Sequence, residues 1–225
     1  MMKKYKSNAI IIGALFIITM LLGMIDAYFV VPKLNVSLNQ LHPINGLLLL
    51  GVFSVFAMSI GIVGIAITIF PIVKKQSETI AVTYVSFRII ECLLLIVGSI
   101  VYIFLIVTSK VNADSNALDA NVCSIIPLIA YKIKYNAYQL AMLALGFGSL
   151  FLCYSLYKSK VIPRFLSIWG FIGYLLLFMS AVLALTGIID TKETARLMYI
   201  PGGLWEVIAF PVWLFIKGFS SVSDK

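Results

Sequence analysis

Charged residues are scarce in this chain. Of its 225 residues, 12% are charged and 62% are hydrophobic, whereas soluble domains have about 25% charged and about 45–50% apolar residues. The length suits one domain, and no polar segment is long enough to build a second core. The composition therefore excludes an ordinary soluble protein and predicts a single integral membrane domain over residues 1–225.

Histidine is nearly absent, since His42 is the only one. One histidine excludes H-E-x-x-H metalloproteases and multi-histidine metal centres. The chain also lacks the G-x-S-x-G elbow of serine hydrolases and the G-x-x-x-x-G-K-[ST] loop that binds nucleotide phosphates. We therefore predict no catalytic residue, no metal and no cofactor, although enzymatic activity stays an open question that leans towards none.

Cysteines are too few for a disulfide framework, and no C-x-x-C pair occurs among the three. Cys92 and Cys153 lie inside apolar runs, where cysteine behaves as a small apolar side chain. Cys123 lies in a predicted loop, where we expect a free thiol on the outer side.

Long apolar runs dominate what is present, and they predict an all-α fold, a polytopic transmembrane helical bundle. A span needs roughly 20 apolar residues, and the six predicted helices cover about 8–31, 44–73, 80–108, 136–157, 163–187 and 201–217. The residues 109–135 are predicted as a long extracytoplasmic connection, in which Ala117–Tyr131 could form a short interfacial helix broken by Pro127.

The first run could instead be a signal peptide, because lysines precede it, and cleavage would leave five helices. Its uncharged part, Ala9–Ile25, is longer than the roughly 7–15 residues of a signal-peptide core. Ile25-Asp26-Ala27 is also a poor cleavage site. We therefore expect a retained first helix.

The placement of lysine and arginine predicts the orientation. The side that includes both termini holds about ten of them and the opposite side about six, so the positive-inside rule puts both termini in the cytoplasm of a bacterial cell. The first set is Lys3, Lys4, Lys6, Lys74, Lys75, Lys158, Lys160, Arg164, Lys217 and Lys225; the second is Lys33, Lys110, Lys132, Lys134, Lys192 and Arg196. The net charge of +8 then reflects topology and contact with membrane lipids, not nucleic acid.

Charged residues inside the predicted spans are the candidates for function. Arg88 and Glu91 lie in the third helix at i, i+3 spacing and share a face with Tyr84. A charge deep in a membrane costs at least about 2.5–3.5 kcal/mol, so such residues face the protein interior and pair. Glu206 lies in the last helix at a depth similar to that of Arg88.

These positions predict a buried cluster in which Arg88 bridges Glu91 and Glu206. Two acids and one arginine leave one negative charge in excess, so either one carboxyl is protonated or a cation, water or ligand group is present. The cluster is then either a structural tie between helices three and six or a centre that binds a proton or ligand.

Other polar residues have more modest expected roles. Pro201, Gly202 and Gly203 form a predicted helix-entry motif, whose free N–H groups could hold an anion but more simply make a tight turn. Asp26 is predicted to lie at the membrane interface, near the outer end of the first helix. Asn45 and Asn136 are expected at outer helix starts.

Three segments together resemble a known family. They are Tyr84-Val85-Ser86-Phe87-Arg88-Ile89-Ile90-Glu91, the stretch from Tyr154 to Gly170 that contains Val161-Ile162-Pro163-Arg164-Phe165, and Pro201-Gly202-Gly203-Leu204-Trp205-Glu206. Their order and spacing, with the apolar N-terminal run, are similar to the bacterial multi-pass membrane family catalogued as domain of unknown function 4386. The resemblance implies that the R-x-x-E and P-G-G-x-x-E positions are family features, and it supplies no reaction.

Three functions stay open at this point. The first is a non-enzymatic membrane protein, such as a regulator, a stress or immunity factor, or a partner subunit. The second is a small carrier or ligand-binding protein that uses Arg88, Glu91 and Glu206 for a proton, ion or anionic group. The third is a membrane enzyme that acts on lipid with Glu91 or Glu206 as general acid or base. The sequence identifies neither a protein partner nor a small ligand.

Overall fold

The computed structural model describes residues 2–115, 118–189 and 194–220. These residues form helices joined by short connections, and they contain no strand. The predicted all-α fold class is confirmed. Lys192 and Lys225, which entered the orientation argument, lie outside the described residues.

Within these described ranges, eight α-helices and four short helical segments of other types follow one another. The α-helices are α1 (Met2–Met24), α2 (Leu38–Leu41), α3 (Asn45–Lys74), α4 (Glu78–Ser115), α5 (Ala120–Ser159), α6 (Arg164–Leu185), α7 (Thr194–Leu204) and α8 (Phe210–Ile216). Two segments are π-helical, Ile25–Val30 and Trp205–Ala209, and two are 3₁₀-helical, Val31–Leu34 and His42–Ile44.

Six helical stretches among the described residues are long and apolar enough to span a membrane. They are Lys6–Leu34, Leu38–Lys74, Glu78–Ser115, Ala120–Ser159, Arg164–Leu185 and Leu197–Ile216. Large apolar side chains remain exposed along them, as at Phe53 (65%) and Ile60 (61%). Water would disfavour such a surface, whereas lipid solvates it. The chain is a multi-pass membrane protein.

The predicted long connection over residues 109–135 is wrong in its secondary structure. Helix α4 continues to Ser115 and α5 begins at Ala120, because polar side chains in this region find protein partners. Ser109 donates to the side-chain oxygen of Asn45 (3.2 Å), and the Asn112 amide donates to that of Asn39 (2.7 Å). Both Asn136 and Pro127 consequently lie inside α5, and neither begins nor breaks a helix.

The predicted helix-entry motif is also wrong, since α7 begins at Thr194 and contains Pro201, Gly202 and Gly203. Proline lacks the N–H that a helix interior uses, so the carbonyl group one turn before Pro201 loses its usual donor within α7. No helix N-terminus, and therefore no anion site of that kind, is formed at Gly202.

The chain divides into two compact units, which we describe separately. Unit 1 comprises residues 1–18, 60–92 and 139–225, and unit 2 comprises residues 19–59 and 93–138. The interior of unit 1 includes a group of aromatic side chains: Trp205 stacks on Phe210 with ring centroids 4.3 Å apart, and Tyr174 meets Trp205 edge to face at 5.5 Å. The interior of unit 2 is mostly aliphatic and includes Val30, Leu34, Leu38, Leu41, Leu48, Tyr102 and Leu105.

Helices α6 and α7 of unit 1 approach most closely where two glycines meet. A Cβ atom on Gly173 would lie 2.7 Å from the Cα of Gly202, which is a backbone atom that cannot rotate away. Small residues at such contacts allow backbones to pack closely in membranes. The contact brings the Trp205–Ala209 segment, which follows α7, towards α6.

We expect Gly173→Ala to destabilise the protein by about 1–3 kcal/mol, the usual cost of overpacking, because the methyl group must push α6 and α7 apart. The matched control is Gly203→Ala, where an added Cβ meets nothing within 4 Å and alanine favours the helix. Thermal unfolding in detergent compares the two. Equal melting temperatures for both variants would contradict the close contact.

Candidate functional site

The site begins with the buried face of α4. Ala81, Tyr84, Arg88, Glu91 and Leu95 recur at the three- and four-residue spacing of a helix face, and each is at most 7% exposed. The opposite face carries apolar residues such as Ile89 and Leu93 that remain exposed. The helix therefore turns its two charged side chains into the protein and its aliphatic side chains towards lipid.

Arg88 and Glu91 form a buried ion pair. Their Nη1 and Oε2 atoms are 3.0 Å apart, and the two side chains are 4% and 3% exposed. Tyr84 lies one turn earlier, with its ring centroid 5.9 Å from the guanidinium carbon of Arg88, at the outer range of a cation–π contact. Pairing at this depth removes most of the cost of placing a charge in a membrane.

Glu206 lies in the first turn of the π-helical segment Trp205–Ala209. Its Oε1 accepts a hydrogen bond from the hydroxyl of Tyr174 on α6, at 2.7 Å, and its charge interacts with that of Arg88. The predicted bridge, in which Arg88 contacts both Glu91 and Glu206, thus differs from the observed geometry. Arg88 makes its ion pair with Glu91, while the hydrogen bond to Glu206 comes from Tyr174, which the sequence argument did not name.

Two tryptophan indoles hold the segment of Glu206 against α6. Trp205 donates from Nε1 to the carbonyl of Leu166 (2.8 Å), and Trp169 donates from Nε1 to the carbonyl of Pro201 (3.1 Å). Trp205 is fully buried. These bonds, with the contact between the two glycines, fix α6 and α7 in register, so Tyr174 and Glu206 face each other.

The site retains an unused hydrogen-bond donor and an unbalanced charge. The Nε atom of Arg88 is buried and has no hydrogen-bond partner within the described part of the chain. The charge count is uneven as well, because the charges of two carboxyl groups, Glu91 and Glu206, interact with a single guanidinium. Cys153 on α5 is buried as well, but a thiol is neutral in its usual form and does not balance the count. Such a site can bind a proton, or donate a hydrogen bond to an anionic group.

The interfacial position expected for Asp26 stays a prediction, whereas Lys134, predicted in the long connection, lies inside α5. In unit 2, Asp26 and Lys134 form an ion pair at 2.9 Å, with side chains 14% and 11% exposed, and Tyr102 donates a hydrogen bond to Asp26. Cys123, predicted as a free thiol in a loop on the outer side, is a free thiol but lies inside α5, where it is 2% exposed. The sequence did contain a signal for this pair, since Asp26 and Tyr102 lie in apolar runs. The pair was not predicted because Lys134 was assigned to a loop.

The fold and the buried charges define a class of protein. It is a multi-pass helical membrane protein with an arginine–glutamate pair inside a span. The chain belongs to the family described as Domain of unknown function (DUF4386), whose model matches residues 11–218. Comparison with curated proteins and with solved structures gave no match.

Removing the hydroxyl of Tyr174 tests how Glu206 is held. We expect Tyr174→Phe to lower stability by about 1–3 kcal/mol, because a buried carboxyl oxygen loses its donor. Tyr154→Phe is the control, since Tyr154 is 47% exposed and should unfold like wild type. Unfolding of both variants in detergent is the measurement. A Tyr174→Phe protein as stable as the control would show that the hydrogen bond contributes nothing.

Proposed function

We propose that this chain is a non-enzymatic membrane protein that binds one proton at the cluster of Arg88, Glu91, Glu206, Tyr84 and Tyr174. The observation that carries the proposal is a buried arginine that Glu91 already pairs at 3.0 Å, while a second carboxyl group, that of the partly buried Glu206, also interacts with its charge and has Tyr174 as its hydrogen-bond donor. An uncompensated buried charge is costly, and a carboxyl group in that position neutralises by taking up a proton.

Glu206 is the group that carries the proton. Glu91 lies 3.0 Å from Arg88 and gains most from staying ionised. Glu206 has a tyrosine hydroxyl as its hydrogen-bond partner, and that hydroxyl can serve a neutral carboxyl as well as an ionised one. In this arrangement the cluster as a whole is neutral. A protein that gains or loses this proton changes the charge of its interior, which suits a membrane regulator or partner subunit that responds to proton availability.

A carrier or ligand-binding protein is the second candidate, and one observation favours it. The buried, unpartnered Nε of Arg88 is a donor that an anionic group could accept from, and arginine binds carboxylates and phosphates well. A lipid-acting enzyme has less support, because the site pairs its acids with an arginine and tyrosines and includes no metal set or activated hydroxyl nucleophile among the described residues.

The number of protonated carboxyl groups tests the proposal. Infrared spectroscopy of the reconstituted full chain should show one buried protonated carboxyl in wild type and none in Glu206→Gln, because Glu91 then balances Arg88 alone. Arg88→Met should show two, since neither acid retains a cation. Glu78→Gln is the control for an exposed acid, as Glu78 is 66% exposed and should leave the band unchanged.

A wild-type protein without a protonated carboxyl would contradict the proposal and leave the cluster as a structural tie. The melting temperature of each variant shows whether it is folded. Should Arg88→Met fail to fold, the comparison of wild type with Glu206→Gln still decides the question, because the latter retains the ion pair of Arg88 and Glu91.

We also propose that the protein lies in the bacterial cytoplasmic membrane with both termini in the cytoplasm, in contact with lipid. The excess of lysine and arginine on the side of the termini supports this orientation. Cytoplasmic-active reporters fused after Lys75 and after Lys160 should be active, whereas a fusion after Asp119 should be inactive. The reverse pattern would overturn the orientation without affecting the fold.

A further inference from the structure

Unit 2 contains a charged site of its own, which the proposed function does not use. The carboxylate of Asp26 has two partners on different helices. Oδ2 lies 2.9 Å from Nζ of Lys134 on α5, and Oδ1 accepts the hydroxyl proton of Tyr102 on α4. The ammonium of Lys134 also lies 4.4 Å from the ring centroid of Tyr102. The three side chains therefore contact one another pairwise.

Tyr102 is the fixed member of this group. It is fully buried, and Gly51 leaves room for its ring, since a Cβ atom there would lie 2.8 Å from Cε2. Gly98, one turn before Tyr102 on α4, similarly lets α5 approach, because a Cβ on Gly98 would lie 3.2 Å from that of Ala137. Lys134 reaches the site from a flexible four-carbon stem, so it is the member that can leave.

The site is neutral as long as its acid and base remain paired. All three residues lie inside helical stretches that can span a membrane, where an unpaired carboxylate is costly. If the ammonium of Lys134 moves away, Asp26 loses its charge only by taking a proton from the aqueous phase. The Asp26–Lys134 pair is 14% and 11% exposed, against 4% and 3% for Arg88–Glu91, so protein encloses it less completely.

We propose that Asp26, Tyr102 and Lys134 form a second proton-binding site, in which a proton on Asp26 and the ammonium of Lys134 replace one another. Proton binding converts the carboxylate to a carboxylic acid and releases Lys134, which keeps its own charge. The hydroxyl of Tyr102 serves Asp26 in both states. Because Asp26 follows α1 and Lys134 lies on α5, the proton controls whether these two elements of unit 2 are tied.

The local backbone supports a functional role for this acid. Asp26 lies in the first turn of the π-helical segment Ile25–Val30, just as Glu206 lies in the first turn of Trp205–Ala209. In each case a tyrosine hydroxyl from another helix donates to the acid. Single π-helical turns within α-helices occur frequently at functional sites, and here each of the two positions a carboxyl group against a tyrosine hydroxyl.

The charged and titratable groups that face Asp26 within the described residues are Lys134 from α5 and Tyr102 from α4. Within the part of the chain that the structure describes, no second acid pairs with Lys134, unlike the cluster of unit 1 with its two acids. One acid and one base therefore balance at this site, and Asp26 takes up a proton only when the ammonium of Lys134 has moved away. This difference makes the two proposals separable by experiment.

The test uses Lys134→Met in the reconstituted full chain, with Lys132→Met as the matched control, since Lys132 is an exposed lysine on the same helix. At neutral pH the Lys134→Met protein should gain one protonated carboxyl per chain in its infrared spectrum relative to wild type. That gain should disappear in the double variant Asp26→Asn with Lys134→Met. Lys132→Met should match wild type. A folded Lys134→Met protein without the gain would overturn the proposal.

Wild type and Asp26→Asn provide a second comparison that does not depend on Lys134→Met being stable. On acidification, wild type should gain a protonated-carboxyl band that Asp26→Asn lacks. The exposed acids are the same in both proteins, so their bands cancel in the comparison. Identical acid-induced spectra would overturn the proposal even if the Lys134 variant does not fold. The carboxyl group attributed to Glu206 is unchanged in all these variants, so its presence or absence is judged independently.

Discussion

The ion pair between Arg88 and Glu91 is the constraint on which the rest of unit 1 depends. An arginine within an apolar helix needs a partner of opposite charge, and Glu91 supplies it at 3.0 Å from the same face of α4. In this pair the charges of Arg88 and Glu91 balance each other, so no cation is left for a second acid. Glu206, which interacts with Arg88 through its charge, must therefore be stabilised in another way, and the structure provides the hydroxyl of Tyr174.

Close packing makes this hydrogen bond possible. Gly173 and Gly202 bring α6 and α7 into backbone contact, and the indoles of Trp169 and Trp205 bond to carbonyl groups across the same interface. The P-G-G-x-x-E motif thus acts through packing: its glycine allows the approach, and the π-helical segment that follows presents the acid. The P-G-G-x-x-E motif therefore determines both the packing of α6 against α7 and the position of the Glu206 carboxyl group.

The number and class of helices could be predicted because a membrane imposes a minimum length of apolar sequence on every span. The helix ends could not, since Ser109 and Asn112 find side-chain partners that hydropathy does not reveal. Arg88, Glu91 and Glu206 stood out because charges are rare inside spans. Their role as a functional site stays a prediction.

Other parts of both sites could not be predicted, for physical reasons. Tyrosine is compatible with lipid, interface and core alike, so nothing distinguished Tyr174 or Tyr102 from other tyrosines. Lys134 was assigned to a loop because α5 extends beyond the length that a span requires. The π-helical turns at Asp26 and Glu206 have no sequence pattern of their own, and the direction of each acid depends on them.

The most direct measurement is solid-state carbon NMR of the glutamate side chains in the reconstituted full chain, with Glu91 and Glu206 assigned through their glutamine variants. The account predicts that the carboxyl carbon of Glu206 resonates as a protonated acid at neutral pH while that of Glu91 resonates as a carboxylate. Two ionised carboxylates in the folded protein would contradict it, because the cluster would then bind something other than a proton.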